Sequence, residues 1–118
     1  MRAPATLFDA VCRYGLFFLL MLLIQPAMAA TLRVGPLQDL KRPSAAARVV
    51  RDGDVVEIEA GEYRADAAVW RANHLTLRGV GGRVRLLSQG VTAEGKAIWV
   101  LKGNGTIVEN IVFEGAVV

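Results

Sequence analysis

From residue 55 onward the chain alternates apolar and polar side chains with a period of two. The alternation is clear in three segments, 55–59, 75–78 and 83–86, where valine, isoleucine or leucine is followed by a charged residue or threonine. Such a period places the apolar side chains on one face of a β-strand. Glycines at 61, 79, 81, 82, 103 and 105 separate the segments. The pattern therefore predicts short strands joined by turns.

The predicted strands recur in a fixed order, with three strands to a turn of the repeat. The first turn has strands at 55–58, 61–64 and 67–70, the second at 75–78, 84–87 and 97–100, and the third at 106–109 and 111–114. Leading strands start at 55, 75 and 106, and the longer second step contains a polar insertion, Ser88–Lys96. Without the insertion both steps are about 20 residues, a period that is typical of solenoids.

The third strands show the clearest internal match, because Ala68-Val69-Trp70 aligns with Ala97-Ile98-Trp99. Like residues lie one repeat apart, as parallel stacking of coils requires. A small β-sandwich is the alternative fold, and its strands would have antiparallel neighbours joined by hairpins. The pattern favours an all-β protein, a parallel β-solenoid of two to three coils.

The predicted core consists of the apolar residue at each inward position of these strands. Its members are Val56, Ile58, Tyr63, Val69, Leu75, Leu77, Val84, Leu86, Ile98, Val100, Val108, Ile111 and Phe113.

A short helix is predicted ahead of the first coil. Residues 31–34 form an extended segment, and Ser44 is expected to cap a helix whose body is 45–51. Alanines favour the helix, and Asp52-Gly53-Asp54 ends it with a turn. The helix would close the N-terminal end of the solenoid.

The first residues have the layout of a secretory signal peptide, itself expected to be helical. Nine apolar residues at 16–24 follow two arginines and precede the small-x-small pattern Ala27-Met28-Ala29. An uncleaved membrane anchor is the alternative, but an apolar run that short does not span a bilayer, which needs about 20 residues. The signal peptide is therefore predicted to be 1–29, with a mature chain from Ala30 or Thr31 to residue 118 in the secreted or periplasmic space.

Composition narrows the partners and cofactors of the mature chain. Cys12 is the only cysteine of the 118 residues, so the mature part has neither a disulfide nor a thiolate metal site. From Thr31 onward 12 Lys and Arg are interspersed with 10 Asp and Glu, with no basic block. This distribution argues against nucleic acid as a partner. A membrane is expected to be a partner only through the uncleaved signal peptide.

Two segments resemble secreted right-handed parallel β-helix proteins of the pectate-lyase-like superfamily. Asp52–Tyr63 (DGDVVEIEAGEY) is similar to a first coil of that family, and Asn104–Gly115 (NGTIVENIVFEG) to a later coil. The resemblance implies that Asn110 occupies a sharp turn between two strands and bonds to the backbone of a neighbouring coil. It does not imply an activity, because the family includes lyases, hydrolases, epimerases and adhesins.

Members of that family usually have many more coils than this chain. The sequence ends at residue 118 inside the third predicted coil, and an uncapped coil exposes apolar residues and strand edges. We therefore expect the sequence to be a fragment of a longer protein.

Trp70 and Trp99 are the candidate binding residues. If Val69 and Ile98 point inward, both indoles point outward and stack about 4.8 Å apart on neighbouring coils. Exposed aromatic rings bind the apolar face of a sugar, so this ladder would bind a polysaccharide. The alternatives are packing beneath the Ser88–Lys96 insertion and simple stacking between neighbouring coils.

No catalytic residue, metal site or cofactor is predicted. His74 is the only histidine and precedes a strand, so it is interpreted as a turn residue. Asp52 and Asp54 are interpreted as turn residues rather than calcium ligands, because no further spaced ligands follow. Asn104-Gly105-Thr106 matches a glycosylation pattern and is interpreted as a turn.

Glu57, Glu59 and Glu62 lie on one segment of the first coil. Glu57 and Glu59 share the outer face of a strand and are candidate paired carboxylates for glycoside chemistry. We interpret them instead as an outward face paired with Arg78 or Arg64, since charged side chains normally lie outside.

Three functional classes remain open. They are a non-catalytic, carbohydrate-contacting part of a secreted β-helix protein, a polysaccharide lyase, hydrolase or epimerase whose catalytic coils are absent, and a structural surface module that stacks on the coils of another chain.

Overall fold

A computed structural model describes residues 29–115. The predicted signal peptide, 1–29, lies outside these residues except for Ala29. Within 29–115 no helix has the length and apolar character needed to cross a membrane.

The described residues form a helix of five residues and a series of strands. In chain order they are β1 (Thr31–Val34), α1 (Pro43–Ala47), β2 (Val55–Arg64), β3 (Ala68–Trp70), β4 (Thr76–Leu87), β5 (Trp99–Leu101), β6 (Ile107–Glu109) and β7 (Ile111–Glu114).

These strands pair in parallel and stack as rungs. The larger sheet has the order β1-β2-β4-β6, with β7 also beside β4, and the smaller sheet pairs β3 with β5. The fold is therefore an all-β parallel solenoid, which confirms the prediction of stacked repeats over a sandwich. The large sheet has four stacked rungs, β1, β2, β4 and β6, where two to three coils were expected. The additional rung is β1, which pairs in parallel with β2.

Equivalent positions lie directly over one another along the solenoid. Val55 stands opposite Thr76, and Thr76 stands opposite Ile107, so successive leading strands are 21 and 31 residues apart. The predicted first step of 20 was one residue short. The registers place Leu32, Val56, Leu77 and Val108 in one column.

The leading and second strands of a coil are continuous in β2 and β4, where the register shifts between Glu59 and Gly61. In the last rung they are separated at Asn110, which has a φ of 59°. Its Nδ2 donates to the carbonyl oxygens of Gly79 at 3.3 Å and Gly82 at 2.6 Å in the neighbouring coil. Gly79 leaves room for this turn, because a Cβ there would lie 2.5 Å from the Asn110 carbonyl oxygen. The predicted role of Asn110 is confirmed.

A column of side chains joins the turns that precede the leading strands. The Asn73 N–H donates to Asp52 Oδ1 at 2.8 Å, and the Asn104 N–H donates to Asn73 Oδ1 at 2.9 Å. Each of these residues precedes one with positive φ, namely Gly53 (84°), His74 (56°) and Gly105 (69°). His74 is thus a turn residue, as predicted, at a position where the neighbouring coils have glycine.

Substituting His74 tests this turn. His74→Gly is expected to leave the free energy of unfolding nearly unchanged, because glycine adopts positive φ without strain but costs more backbone entropy on folding. His74→Val should lower it by about 1–2 kcal/mol, since a β-branched residue is strained in the left-handed region. Urea denaturation of both variants measures the difference. Equal losses would show that the imidazole does more than occupy the turn.

The inward positions of the large sheet are buried as predicted. Val56, Ile58, Tyr63, Leu75, Leu77, Val84 and Leu86 all lie in the core, and the predicted core residue Ile98, just ahead of β5 of the small sheet, is buried as well. The predictions that Val69 and Val100 lie in the core were wrong. Both are only partly buried, because they lie on the outward face of the small sheet. Ile111, Val108 and Phe113 are partly buried or exposed because they lie on the last rung.

The helix differs from its predicted form. α1 begins at Pro43, with Arg42 at the N-cap position, and ends at Ala47 rather than Arg51. Ser44 is therefore inside the helix and does not cap it. Instead the buried Asp66 of the first coil accepts the Ser44 N–H at 3.0 Å and the Ser44 hydroxyl at 2.6 Å. This carboxylate satisfies a first-turn amide and holds α1 against the solenoid.

Asp66→Ala is expected to release α1. The substitution removes both bonds to Ser44, which together contribute about 1–3 kcal/mol as a helix cap made by an ionised acceptor. Hydrogen exchange should become faster at the amides of 45–47, with little change in β4. Asp39→Ala, at an exposed carboxylate, is the control and should leave exchange unaltered. Unchanged protection of α1 in Asp66→Ala would contradict this role.

Candidate functional site

The two tryptophans point inward. Trp70 is 0% exposed and Trp99 is 7% exposed. The prediction of outward indoles was wrong, because Ala68 and Trp70 share the inward face of β3 while Val69 lies on the other. The register is also shifted by two residues from the predicted alignment, since Trp99 stands opposite Ala68. A shift of two keeps the face of a strand but changes its partners.

The rings form an interior aromatic column rather than a surface ladder. Trp70 and Trp99 meet edge to face with centroids 5.0 Å apart, and Trp99 meets Phe113 at 5.3 Å. Neither Nε1 atom has a hydrogen-bond partner among the described residues. A buried ring offers no face to a sugar, so the proposed polysaccharide ladder loses its geometric basis. The same rings become part of what holds the coils together.

The carboxylates of Asp52 and Asp54 bind backbone amides. Asp52 belongs to the turn column, and Asp54 accepts the Ala30 N–H at Oδ1 and the Arg51 N–H at Oδ2, both at 2.9 Å. Within residues 29–115 no group of three or more histidine, cysteine, aspartate or glutamate side chains is placed to hold a metal. The two residues therefore act in turns, as interpreted from the sequence.

The three glutamates of the first coil lie beside cations or an amide. Glu57 stands opposite Arg78 in register and contacts Arg33 at 4.0 Å. Glu62 lies 2.6 Å from both Arg64 and Arg85. Glu59 accepts a bond from the Gln38 side chain at 2.9 Å. The arrangement is a charged outer face, as expected.

Opposite charges alternate from rung to rung on this outer face. The first charge column, in register order, is Arg33, Glu57, Arg78 and Glu109, and the Arg78–Glu109 distance is 3.2 Å. The second charge column is Glu62, Arg85 and Glu114, with distances of 2.6 and 2.7 Å. Glu62 stands opposite Arg85 in register, whereas Glu114 stands opposite Leu87 and reaches Arg85 diagonally. Both columns end on a carboxylate at the last rung.

Arg85 and Glu114 shift one another's titration. The hydrogen bond from Arg85 lowers the pKa of Glu114, and the same bond raises the pKa of Arg85. Because the folded pKa of Glu114 is lowered, the pair stabilises the fold above the ordinary pKa of a glutamate. That contribution is lost as pH falls through the lowered value.

The two ends of the solenoid differ in how they are covered. At the N-terminal end, α1 packs on β1 and β3, and Val34 and Ala46 are fully buried. At the other end Val108 is 37% exposed and Phe113 44% exposed, whereas their equivalents one rung earlier, Leu77 and Leu86, are 0% exposed. We call the surface formed by β5, β6 and β7 the open end.

The open end repeats the contacts that join the earlier rungs. It presents apolar side chains at inward positions, carboxylates at the ends of both charge columns, and Asn104 at the end of the turn column. An exposed strand edge of this kind is a template for another strand. The open end is therefore a surface on which a further parallel strand could pair.

The surface also has a groove beside α1 and the first coil. It has a volume of about 380 Å³ and is lined in part by Lys41, Arg42, Tyr63 and Asp66. Burial raises the pKa of Tyr63, whose hydroxyl donates to the Glu59 carbonyl oxygen at 2.8 Å. Since Asp66 is bound to Ser44, the polar groups of the groove already have partners within the fold.

The described residues thus establish a parallel solenoid with an exposed apolar surface at its open end. A scan against models of known protein families finds no match to this chain, and searches of curated proteins and of solved structures find none either.

Proposed function

We propose that the chain is the N-terminal end module of an exported, right-handed parallel β-helix and that its function is structural. One end is closed by α1, and the open end receives a further coil. The observation that carries this proposal is the exposure of Val108 and Phe113 at positions where the rung below is completely buried. Solenoid repeats bury such faces only against a neighbouring repeat.

The outer face supports a coil of specific chemistry. In the first charge column each rung has a charge opposite to that of the rung before, so the next rung should carry Lys or Arg opposite Glu109. Its inward residues should be apolar opposite Val108 and Phe113. A parallel crossover in one sheet is right-handed in about 98% of cases, which supports the proposed handedness.

Export is supported by the leader pattern at 1–29. The resemblance of 52–63 and 104–115 to pectate-lyase-like β-helices agrees with both export and handedness. A coil, rather than a polysaccharide or a nucleic acid, is the partner that this surface favours.

Appending one rung tests the proposal. Residues 88–114 are repeated directly after Glu114, because Leu87 stands opposite Glu114 and Ser88 therefore begins the next side. The added rung then places a second Val108 and a second Phe113 over the originals. In one version the appended Glu109 is retained, and in a matched version it carries Glu109→Arg.

Both versions are expected to melt at a higher temperature than the original mature chain. Covering each apolar side chain contributes about 1.5–3 kcal/mol, and 1 kcal/mol corresponds to about 4–8 °C in a small domain. The Glu109→Arg version should be the more stable by up to about 1 kcal/mol, the scale of an exposed ion pair. An added rung that leaves Tm unchanged and exchanges its amides freely would contradict the proposal, and equal Tm values for the two versions would contradict the register.

A further inference from the structure

We infer that processing leaves Ala30 as the first residue of the mature chain and that the buried Asp54 carboxylate binds its new α-ammonium group. The inference rests on the proposed export, and it adds a defined processing site and an ion pair that forms only after cleavage.

The geometry around Ala30 places its nitrogen at a buried carboxylate. Asp54 is 4% exposed, and its Oδ1 lies 2.9 Å from the Ala30 nitrogen. The Ala30 carbonyl oxygen accepts the Val55 N–H at 2.9 Å, which fixes the start of β1 beside β2. Ala29 and Ala30 are themselves exposed, so the buried partner in this contact is the Asp54 carboxylate.

Asp54 lacks a cationic partner in the described part of the chain. Its bonds there are to the backbone amides of Ala30 and Arg51, and none of the ion pairs among residues 29–115 includes it. Burying an ionised carboxylate is costly unless an opposite charge is near. An ammonium group at the Ala30 nitrogen supplies that charge in place of a neutral amide, and charge-assisted hydrogen bonds are stronger.

Hydrolysis of the Ala29–Ala30 bond produces this group. The water oxygen is added to the Ala29 carbonyl carbon, and Ala29 leaves with the signal peptide as a carboxylate. The C–N bond breaks, and the Ala30 nitrogen takes up protons to become an ammonium at neutral pH.

The same contacts distinguish Ala30 from Thr31 as the first residue. A chain that began at Thr31 would lose the Ala30 nitrogen that bonds Asp54. It would also lose the Ala30 carbonyl that accepts the Val55 N–H. Both losses leave polar groups unpaired near the core, which is unfavourable. The leader pattern alone leaves either start open.

The first test expresses residues 1–118 in a secreting bacterial host and determines the mass and N-terminal sequence of the product. A mature chain that begins at Ala30 is expected. A start at Thr31 would overturn this inference while leaving export intact. A chain that keeps residues 1–29 or stays in the cytoplasm would overturn the inference and the proposed export together.

The second test examines the ion pair in chains that begin at Ala30. The pKa of the α-amino group, followed by NMR, should rise by at least one unit above its usual 7.7–8.0 in Asp54 chains. Because the folded pKa is raised, the pair stabilises the fold below pH 7.7–8.0 and is lost as pH rises through the higher value. A normal pKa would overturn the inference without affecting the proposed role of the open end.

Acetylation of the α-amino group provides a matched comparison that keeps the Ala30 N–H. At pH 7 the acetylated chain should have a lower urea midpoint than the free chain, and Asp54→Asn should remove the difference between them. Equal midpoints in the Asp54 background would overturn the inference. If Asp54→Asn does not fold, the comparison of the free and acetylated Asp54 chains decides the question.

Discussion

Trp70→Ala should lower the free energy of unfolding of the mature chain by about 3–5 kcal/mol, the range for truncating a buried large aromatic side chain. Trp70 is fully buried and packs edge to face on Trp99. Small domains have only about 5–15 kcal/mol of stability in total, so this loss is a large share of the free energy of unfolding. Urea denaturation followed by circular dichroism measures the loss.

Two control variants show whether the loss of stability in Trp70→Ala comes from the removal of a buried ring. Trp70→Phe keeps much of the apolar volume and removes an indole N–H that has no partner among the described residues, so it should cost less than half as much. Val49→Ala, at a side chain that is 54% exposed, should stay within about 0.5 kcal/mol of the original chain. If Trp70→Ala behaves like Val49→Ala, the indole does not lie in the core.

The second large effect is expected for Gly103→Ala. A Cβ at this position would overlap the carbonyl oxygen of Ala72 in the coil below, which is a backbone atom that cannot turn aside. The neighbouring Lys102 and Asn104 both donate their N–H groups to that coil, to the Trp70 carbonyl at 2.8 Å and to Asn73 Oδ1 at 2.9 Å. Separating the coils would weaken both bonds, so we expect a loss of about 3 kcal/mol, at the upper end of overpacking.

Gly35→Ala is the matched control for Gly103→Ala. Its Cβ would also meet a neighbour, but that neighbour is the Glu59 side chain, which can move to another rotamer. The expected loss is therefore below about 1 kcal/mol. Thermal melts of the two variants give the comparison. Equal losses would contradict the close approach of backbones at Gly103.

The large sheet could be predicted from sequence because its strands alternate strictly. Glu57 and Arg78 mark the outward face of their strands, so Val56 and Leu77 must lie inward. The turn at Asn110 was predictable for a related reason, since asparagine tolerates positive φ and can bond to a neighbouring backbone.

The small sheet could not be predicted in the same way. β3 consists of Ala68, Val69 and Trp70, which are all apolar, so a period of two does not indicate which face is buried. The size of the indole decides it, because Trp70 fills the interior between the coils. The inward direction of the tryptophans removed the sugar-binding surface that the sequence suggested.

Contacts between segments outside the repeat could not be predicted from the alternation of apolar and polar residues either. β1 pairs with β2 at a distance of 24 residues, because the segment that contains α1 interrupts the repeat. Asp66 meets Ser44 only through the way α1 lies on the first coil. The turn column, by contrast, was visible in the sequence, since Asp52, Asn73 and Asn104 are spaced by the same 21 and 31 residues as the strands.

The most direct test of the stacked parallel register is a set of methyl–methyl NOEs in the labelled mature chain. Leu77 lies between Val56 and Val108 in one column, at one rung from each. We expect NOEs from the Leu77 methyl groups to both valines and none between Val56 and Val108, which are two rungs, about 9.6 Å, apart. Direct contact between Val56 and Val108, or antiparallel pairing of the Leu77 strand, would contradict the account.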